Sequence, residues 1–585
     1  MNAAPQRAEM RNGGWAMLMT KWGEALDREH PLPEYPRPQL RRESFMNLNG
    51  AWQCAFTREN AEPETYEYEI TVPFAPESVL SGVERVLQPG EYLWYRRGFE
   101  LPEGFNIGRV LLHFGAVDQC ARVWLNGEDV CVHTGGSLPF AADITELLVP
   151  GENILVVRVT DDTDRGWHTR GKQKLKPGGI WYTPVSGIWQ TVWCESVPEN
   201  YISSLFITPH LESGSVELLA GGEGAVRAEI EGESYEFRAG EPALIKLREV
   251  RPWTPEEPYL YKFTLMLGED RVESYFALRS VSVGEDRNGV KRLLLNGKPY
   301  FMNGLLDQGW WPDGLYTAPS DEALAFDVAA AKAMGFTTLR KHVKVEPARW
   351  YYHCDRLGML VWQDMPNGGG SYSAVTVSAP LLTGSHSRDD KYAKFARKEE
   401  KGRAEFREEL LDMVSCLYNS PSVVMWVIFN EGWGQFDSDK LAEAVSEIDA
   451  TRIIDRASGW HDQGTGELRS IHLYFDDYKY KPDKAGRCVV LSEFGGYSLP
   501  IPGHAQTDKP FGYRKFREHD KFRRALTLLY DGQIRPASMQ GLAAAIYTQL
   551  TDVETELNGL ITYDRRVIKL APDDVKRIIA MPPVK

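Results

Sequence analysis

The chain changes character near residue 284. Before that point it offers short β-type runs with Gly, Asn and Pro between them. After it, strand-like and helix-like runs alternate almost to the end. Short strands at regular spacing predict sandwiches, whereas strands alternating with helices predict a parallel sheet. In residues 1–195 the strand runs are YLWYRRGFEL (92–101), RVLLHFGAV (109–117), ARVWLNGEDVCVH (121–133) and NILVVRVTD (153–161). Asn126-Gly127 between two apolar runs is a two-residue hairpin signal. Residues 196–283 hold about seven further short strands, the size of an immunoglobulin-like sandwich. From 284 to 585, strands such as TTLRKHV, MLVWQDM, SVVMWVIFNE and CVVLSEFGG alternate with helical stretches such as DEALAFDVAAAKAMGF. About eight such units predict a (β/α)8 barrel. The expected architecture is therefore multidomain: an N-terminal jelly-roll β-sandwich, an immunoglobulin-like β-sandwich and a C-terminal (β/α)8 TIM barrel.

At 585 residues the chain exceeds what one hydrophobic core supports. Its ordinary apolar and charged fractions exclude a largely disordered chain, a collagen and a coiled-coil rod. The net charge of −15, with no long basic run, argues against a nucleic-acid partner. Seven scattered Cys without a CxxC pair fit reduced thiols. No window approaches a membrane-spanning apolar length, and the N-terminal MNAAPQRAEMRNGGWAM has no signal-peptide stretch. These features predict a cytoplasmic protein without a membrane partner. The Pro-rich segment before residue 40 reads as an arm against the sandwich or another subunit, so a homo-oligomer is one expectation. Seventeen Trp and 26 Tyr either fill a large core or present rings on which sugar C–H faces stack.

In a barrel of this kind, active sites lie at the C-terminal ends of the strands. Charged residues closing apolar strands are therefore the candidates. They are Arg340 and His342 after TTL, Asp364 after MLVWQ, Glu431 after VVMWVIFN and Glu493 after VVLS, with His472 and Tyr474 in SIHLYF. Glu431 and Glu493 are the salient pair, because an ionised Glu at the tip of a buried strand is poorly solvated. Either could be a structural ion pair with Arg340. As a pair they suit glycoside hydrolysis, in which one carboxyl donates a proton to the leaving oxygen and the other attacks the anomeric carbon or activates water. The absence of HExxH and of Cys/His clusters predicts no metal and no cofactor. The stretch 367–403 after the third barrel strand is either a solvated insertion or a lid.

Motifs over nearly the whole chain resemble glycoside hydrolase family 2, the group of β-galactosidase-, β-glucuronidase- and β-mannosidase-like enzymes. WYRRGFEL (94–101), VWLNGEDVCVHTGGSLPFAADIT (123–145) and GGIWYTPVSGIWQTVWCE (178–195) resemble its sugar-binding sandwich. PWTPEEPYLYKF (252–263) resembles the end of its middle domain, and LNGKPYFMNG (295–304) its entry into the barrel. MWVIFNEGWG (425–434) resembles its acid/base strand and LSEFGG (491–496) its nucleophile strand. The resemblance implies that Glu431 is the general acid/base and Glu493 the nucleophile of a retaining mechanism. It implies that Asn430 bonds the sugar 2-hydroxyl, that Tyr474 orients the nucleophile and that Arg340 keeps it ionised.

The chain departs from the family pattern at three places. GLLDQGWWPDG (304–314) stands where the family carries an Arg-His or Asn-Trp pair, which makes Asp307 and Trp310 candidates for lining the sugar pocket. RKHVKVEP (340–347) places His342 one step nearer Arg340 than usual, and Tyr547 stands on the last strand where many members have Trp. Trp433 and Trp460 are either sugar platforms or packing residues. Asp364 either binds sugar or caps a helix, and His472 either binds sugar or bonds backbone. The Lys172–Lys176 stretch, KQKLK, reads as a solvated loop that could reach the pocket wall. No Asn-x-Lys pair follows the nucleophile strand to grip a uronic-acid carboxylate, though Lys341 and Lys344 could do so from another strand. The expected function is an exo-acting retaining β-glycosidase on an oligosaccharide or glycoside, β-galactosidase-like. The alternatives are β-glucuronidase, β-mannosidase or furanosidase/arabinosidase specificity on the same machinery, or a non-catalytic carbohydrate-binding protein.

Overall fold

The computed structural model describes residues 18–507 and 509–583. The stretch 1–17, on which the leader expectation rests, lies outside the described residues. The β-type runs of the first sandwich form two antiparallel sheets. A four-stranded sheet orders Phe45–Asn47, Val192–Val197, Arg109–Phe114 and Phe140–Asp143. A six-stranded sheet runs from Tyr68–Val72 through Gly50–Thr57, Tyr92–Phe99, Asn153–Thr160 and Cys120–Leu125 to Glu128–Thr134. Their inner faces enclose Trp52, Ile70, Tyr95, Leu112, Val123 and Val157. The last two strands of the larger sheet meet at Asn126-Gly127, both at positive φ (54° and 86°), as a tight hairpin turn demands.

A second sandwich packs three strands (Leu205–His210, Ser215–Ala220, Ala243–Lys246) on four (Glu233–Arg238, Ala225–Ile230, Tyr261–Leu267, Asp270–Phe276). Arg42 ties the two sandwiches together. Its guanidinium takes both Asp270 oxygens at 2.8 Å and Glu195 at 3.0 Å, all buried. Before the barrel, helix among the described residues is limited to the single turns Lys21–Glu24 and Thr145–Leu147. Residues of the Pro-rich arm lie on the first sandwich, where Asn49 donates to Pro31 O and Arg37 pairs with Glu195.

The barrel strands are β1 (Met302–Asp307), β2 (Thr338–Lys341), β3 (Leu360–Asp364), β4 (Val423–Val427), β5 (Ile453–Asp455), β6 (Leu468–Leu473), β7 (Cys488–Gly495) and β8 (Leu542–Thr548). They pair in parallel in the order β5-β4-β3-β2-β1-β8-β7-β6, a ring nearly closed between β5 and β6. Helices follow six of them: Asp321–Ala333, Ala348–Leu357, Glu400–Leu417, Ser438–Ile448, His519–Leu529 and Pro572–Ile579. After β5 and β6 the chain returns without a helix. Two of the eight expected units are thus strand and loop only.

Strand parity sorts the barrel residues into two sets. Met302, Leu306, Leu360, Trp362, Met425, Val427, Val490 and Ile546 point inward. Leu305, Leu339, Val361, Leu491, Ala545 and Tyr547 point out beneath the helices. Trp253, Leu293 and Leu295, from the second sandwich and the hairpin after it, join the inward set and close the N-terminal end. Trp253 Nε1 donates to Asp355 O at 2.8 Å, and Arg279 donates to Pro421 O and Val423 O.

The first sandwich reaches the opposite, C-terminal end. Arg170 N and Gly171 N both donate to Asn367 O, at 2.8 and 3.1 Å, and Thr169 Oγ1 donates to Glu409 at 2.6 Å. Gly171 has a φ of +59°, and a Cβ there would lie 2.7 Å from Val343 O. The bare backbone is what lets this loop enter the barrel mouth.

Candidate active site

The upper barrel interior is built on Arg340, the inward residue at the end of β2. Its Nε and Nη2 bond both oxygens of Asp364 (3.0 and 2.9 Å), its Nη1 bonds Glu493 Oε1 (3.0 Å) and Ser492 O (3.1 Å), and its Nη2 also bonds Asn430 Oδ1 (2.8 Å). All five of its donors are engaged. His342 Nδ1 lies 2.9 Å from the same Asp364. Asp364 is therefore the joint between a cation and a histidine and caps no helix.

Glu493, 4% exposed, stands on β7 with Arg340 below one oxygen and the Tyr474 hydroxyl donating to the other. Burial works against its ionisation. The fixed charge of Arg340 and the Tyr474 hydrogen bond oppose burial, and its pKa lies below the ordinary carboxylate value. Arg340 is the partner whose charge is permanent, so the direction rests on it. His342 itself is pushed well below the usual histidine range by burial and by the nearby Lys172 charge.

Glu431 lies four residues beyond the end of β4. Its N–H donates to Ser458 O at 2.9 Å, and its φ is +51°, a conformation that costs energy for a side-chain-bearing residue. The turn aims the carboxylate at the barrel axis. Burial raises the Glu431 pKa above the ordinary carboxylate value, and the His472 hydrogen bond opposes this only in part. His472 Nδ1 is 2.9 Å from Glu431 Oε1, and its Nε2 is 2.9 Å from Ser458 Oγ. Oxygens of Glu431 and Glu493 and a nitrogen of His472 all lie within 4.8 Å of one another.

Glu431, Glu493, Tyr474 and His342 line a small cleft, and Arg340, Asp364 and His472 stand behind them. Trp433 forms one wall, 5.0 Å centroid to centroid from Trp181 and 5.8 Å from His342. Asn430 Nδ2 and Thr548 Oγ1 are buried without a hydrogen-bond partner among the described residues. Trp460 lies outside the cleft lining and packs edge-on against His472 at 5.6 Å.

Three residues expected at the sugar lie elsewhere. Asp307 has the outward parity of β1, and Lys341 Nζ bonds it at 2.7 Å. Trp310 is buried edge-on against Tyr182 and Tyr316 between sandwich and barrel. Tyr547 faces the helix layer, where its hydroxyl accepts from Tyr497 N. Lys341 and Lys344 are sunk around Glu346, at 2.8 and 3.0 Å, and neither lines the cleft.

Five lining residues are not among the sequence candidates: Ile180, Leu306, Tyr513, Thr548 and Glu556. Tyr513 stacks on Tyr474 at 3.8 Å. Lys172, from the stretch read as solvated, is 4% exposed and also lines the cleft. Glu556 lies in the loop well past the tip of β8, beyond the reach of the strand-tip rule. The stretch 367–403 has an exposed face, yet it is anchored to the barrel at several buried positions. Arg397 within it is buried and donates to Gly434 O, Trp167 O and Gly402 O, and Ser387 N contacts His461 Nδ1.

Residues 85–194 match the model of the glycosyl hydrolases family 2 sugar binding domain, and residues 288–487 match that of the family 2 TIM barrel domain. A β-galactosidase of Thermoanaerobacter pseudethanolicus is 25% identical over 445 residues, covering 70% of this chain and 55% of its own length. A β-glucuronidase of Paenibacillus borealis is 24% identical over 471 residues, covering 72% of this chain and 74% of its own. The structure of a β-D-glucuronidase from Dictyoglomus thermophilum aligns with a TM-score of 0.73 at 18% identity, over 94% of this chain and 99% of that one. The chain spans 37% to 55% of the length of the first β-galactosidase relatives it matches. The chain belongs to glycoside hydrolase family 2. Among the described residues no helix is long and apolar enough to cross a membrane.

Proposed function

We propose that the chain is an exo-acting retaining β-glycosidase that works by double displacement, β-galactosidase-like in the sugar it removes. The observation that carries the reading is the Glu431–Glu493 pair. Its nearest carboxyl oxygens lie within 4.8 Å, and the two carboxyls have opposite electrostatic surroundings. Carboxyls about 5–5.5 Å apart suit a nucleophile and an acid/base, whereas inverting pairs stand about 6.5–9.5 Å apart to admit a water.

Ionised Glu493 attacks the anomeric carbon as Glu431 passes its proton to the glycosidic oxygen and the aglycone leaves. Glu431, now a carboxylate, takes a proton from water, which attacks the anomeric carbon and expels Glu493. Tyr474 and Arg340 hold the nucleophile in place. The unpartnered Asn430 Nδ2 fits a sugar 2-hydroxyl, a contact that strengthens as the oxocarbenium character grows. Neutral His342, with Nδ1 committed to Asp364, offers Nε2 as an acceptor for a further hydroxyl.

The test is nucleophile rescue. Glu493→Ala should lose activity on an activated aryl β-galactoside, and azide should restore turnover with an α-glycosyl azide as product. Glu431→Ala with azide should instead give the β-azide. The opposite stereochemistry would exchange the two roles, and no rescue of either variant would end the proposal.

A further inference from the structure

The cleft has a second charged pair that the two-glutamate chemistry does not use. Lys172 enters from the first sandwich, and Glu556 from the loop after β8. Their side chains are 5% and 2% exposed, and Nζ lies 3.9 Å from Oε2. That separation is an ion pair but too long for a hydrogen bond. Glu556 is held from behind: Tyr182 donates its hydroxyl to Oε2, and Asn558 Nδ2 donates to Oε1 at 3.0 Å. Lys172 Nζ sits 5.3 Å from the Tyr182 ring centroid and 5.9 Å from that of Trp433. The two charges are thus fixed on a rigid aromatic wall, close enough for one ligand atom to touch both.

An ammonium donates only and a carboxylate accepts only. A hydroxyl does both, so one or two sugar hydroxyls can accept from Lys172 and donate to Glu556. A carboxylate on the ring can accept from Lys172 but brings its own charge against Glu556 inside a nearly closed site, where like charges repel strongly. Among the described residues no other Lys or Arg lines the cleft to offset this. Arg340 has spent every donor, and Lys341 and Lys344 are committed to Glu346. Lys172 is the sole Lys or Arg among the described residues lining the cleft.

We infer that Lys172 and Glu556 read the hydroxyls of a neutral sugar and discriminate against the matching uronide. This rests on the glycosidase reading and narrows its substrate class. The experiment compares aryl glycosides that differ only at C6: β-D-galactoside with β-D-galacturonide, and β-D-glucoside with β-D-glucuronide. The same protein is titrated calorimetrically with D-galactose and D-galacturonate.

The neutral member of at least one pair should exceed its uronide by tenfold or more in kcat/KM, and galactose should bind more tightly than galacturonate. Glu556→Gln, which keeps the shape and the Tyr182 hydrogen bond, should shrink that ratio at least tenfold. Lys172→Met should lower kcat/KM for the neutral substrate at least tenfold, mainly through KM. A uronide turned over as well as its neutral partner overturns the inference and leaves the two-glutamate chemistry intact. So does a Glu556→Gln protein that melts normally with an unchanged ratio. If that variant does not fold, the wild-type ratio decides. Neutral-sugar binding without turnover would sink the glycosidase reading and keep the inference, and binding of neither sugar without turnover overturns both.

Discussion

The two ends of the barrel are made from the same eight strands and solve opposite problems. At the N-terminal end the inward residues are apolar, and the second sandwich seals them with Trp253, Leu293 and Leu295. At the C-terminal end the inward positions turn to Arg340, Asp364 and Glu493, and the first sandwich leaves a cleft over them. One end buries apolar area, which stabilises the fold by about 25 cal/mol per Å². The other buries charge, which stabilises little and is destabilising when unpaired. The lower end therefore carries stability, and the upper end uses part of it to hold two carboxyls whose acidities are shifted in opposite directions.

This contrast predicts that changes at the top reduce rate with little effect on melting, and that changes at the bottom do the reverse. The largest effect belongs to Glu493→Gln: steady-state kcat should fall about 10⁴-fold or more with a melting temperature near wild type, and a comparable loss of both would merge the two ends.

Glu431→Ala should cost about 10²–10⁴-fold on a glycoside with a poor leaving group and far less on a dinitrophenyl glycoside, which needs no proton. The pH profile of kcat/KM carries the same assignment. Glu493, held below the ordinary carboxylate value by Arg340, must be ionised, so the acid limb lies below the ordinary 4.5. Glu431, raised by burial, must be protonated, so the rate falls as pH climbs through a value above the ordinary 4.5. The Glu431→Ala protein should lack that alkaline limb.

Trp253→Ala, at the sealed end, should destabilise the protein by about 3–5 kcal/mol in chemical denaturation, with kcat per folded molecule unchanged. Tyr547→Phe, on the outer face of β8, removes one hydrogen bond to Tyr497 N and should cost about 1 kcal/mol with no change in KM. A raised KM there would return Tyr547 to the sugar site.

Much of this arrangement could be read from residue order. The two sandwiches and the barrel followed from the change near residue 284, and the strand-tip charges pointed to the groups that meet in the cleft. The misplacements share a physical origin. Asp307 and Tyr547 sit on strands buried on both faces, so hydrophobicity does not say which parity faces the axis. Met302 and Leu306 settle it for β1, and Ile546 for β8, only once their neighbours are known. Trp310 lies past a strand end, where the sandwich covers it. Lys172 and Glu556 were harder to read because each matters only through docking of one domain on another. A polar loop in sequence gives no sign that Gly171 will carry it between Val343 and Tyr316.

That docked loop makes the barrel and the sandwich one functional unit. A barrel excised alone would retain both glutamates and their arginine, yet it would present them in an open bowl, without the wall that Lys172 and Ile180 supply. Exchanging sandwiches between relatives would therefore transplant substrate choice along with the graft, and the recipient barrel would keep its own reaction while accepting a different sugar.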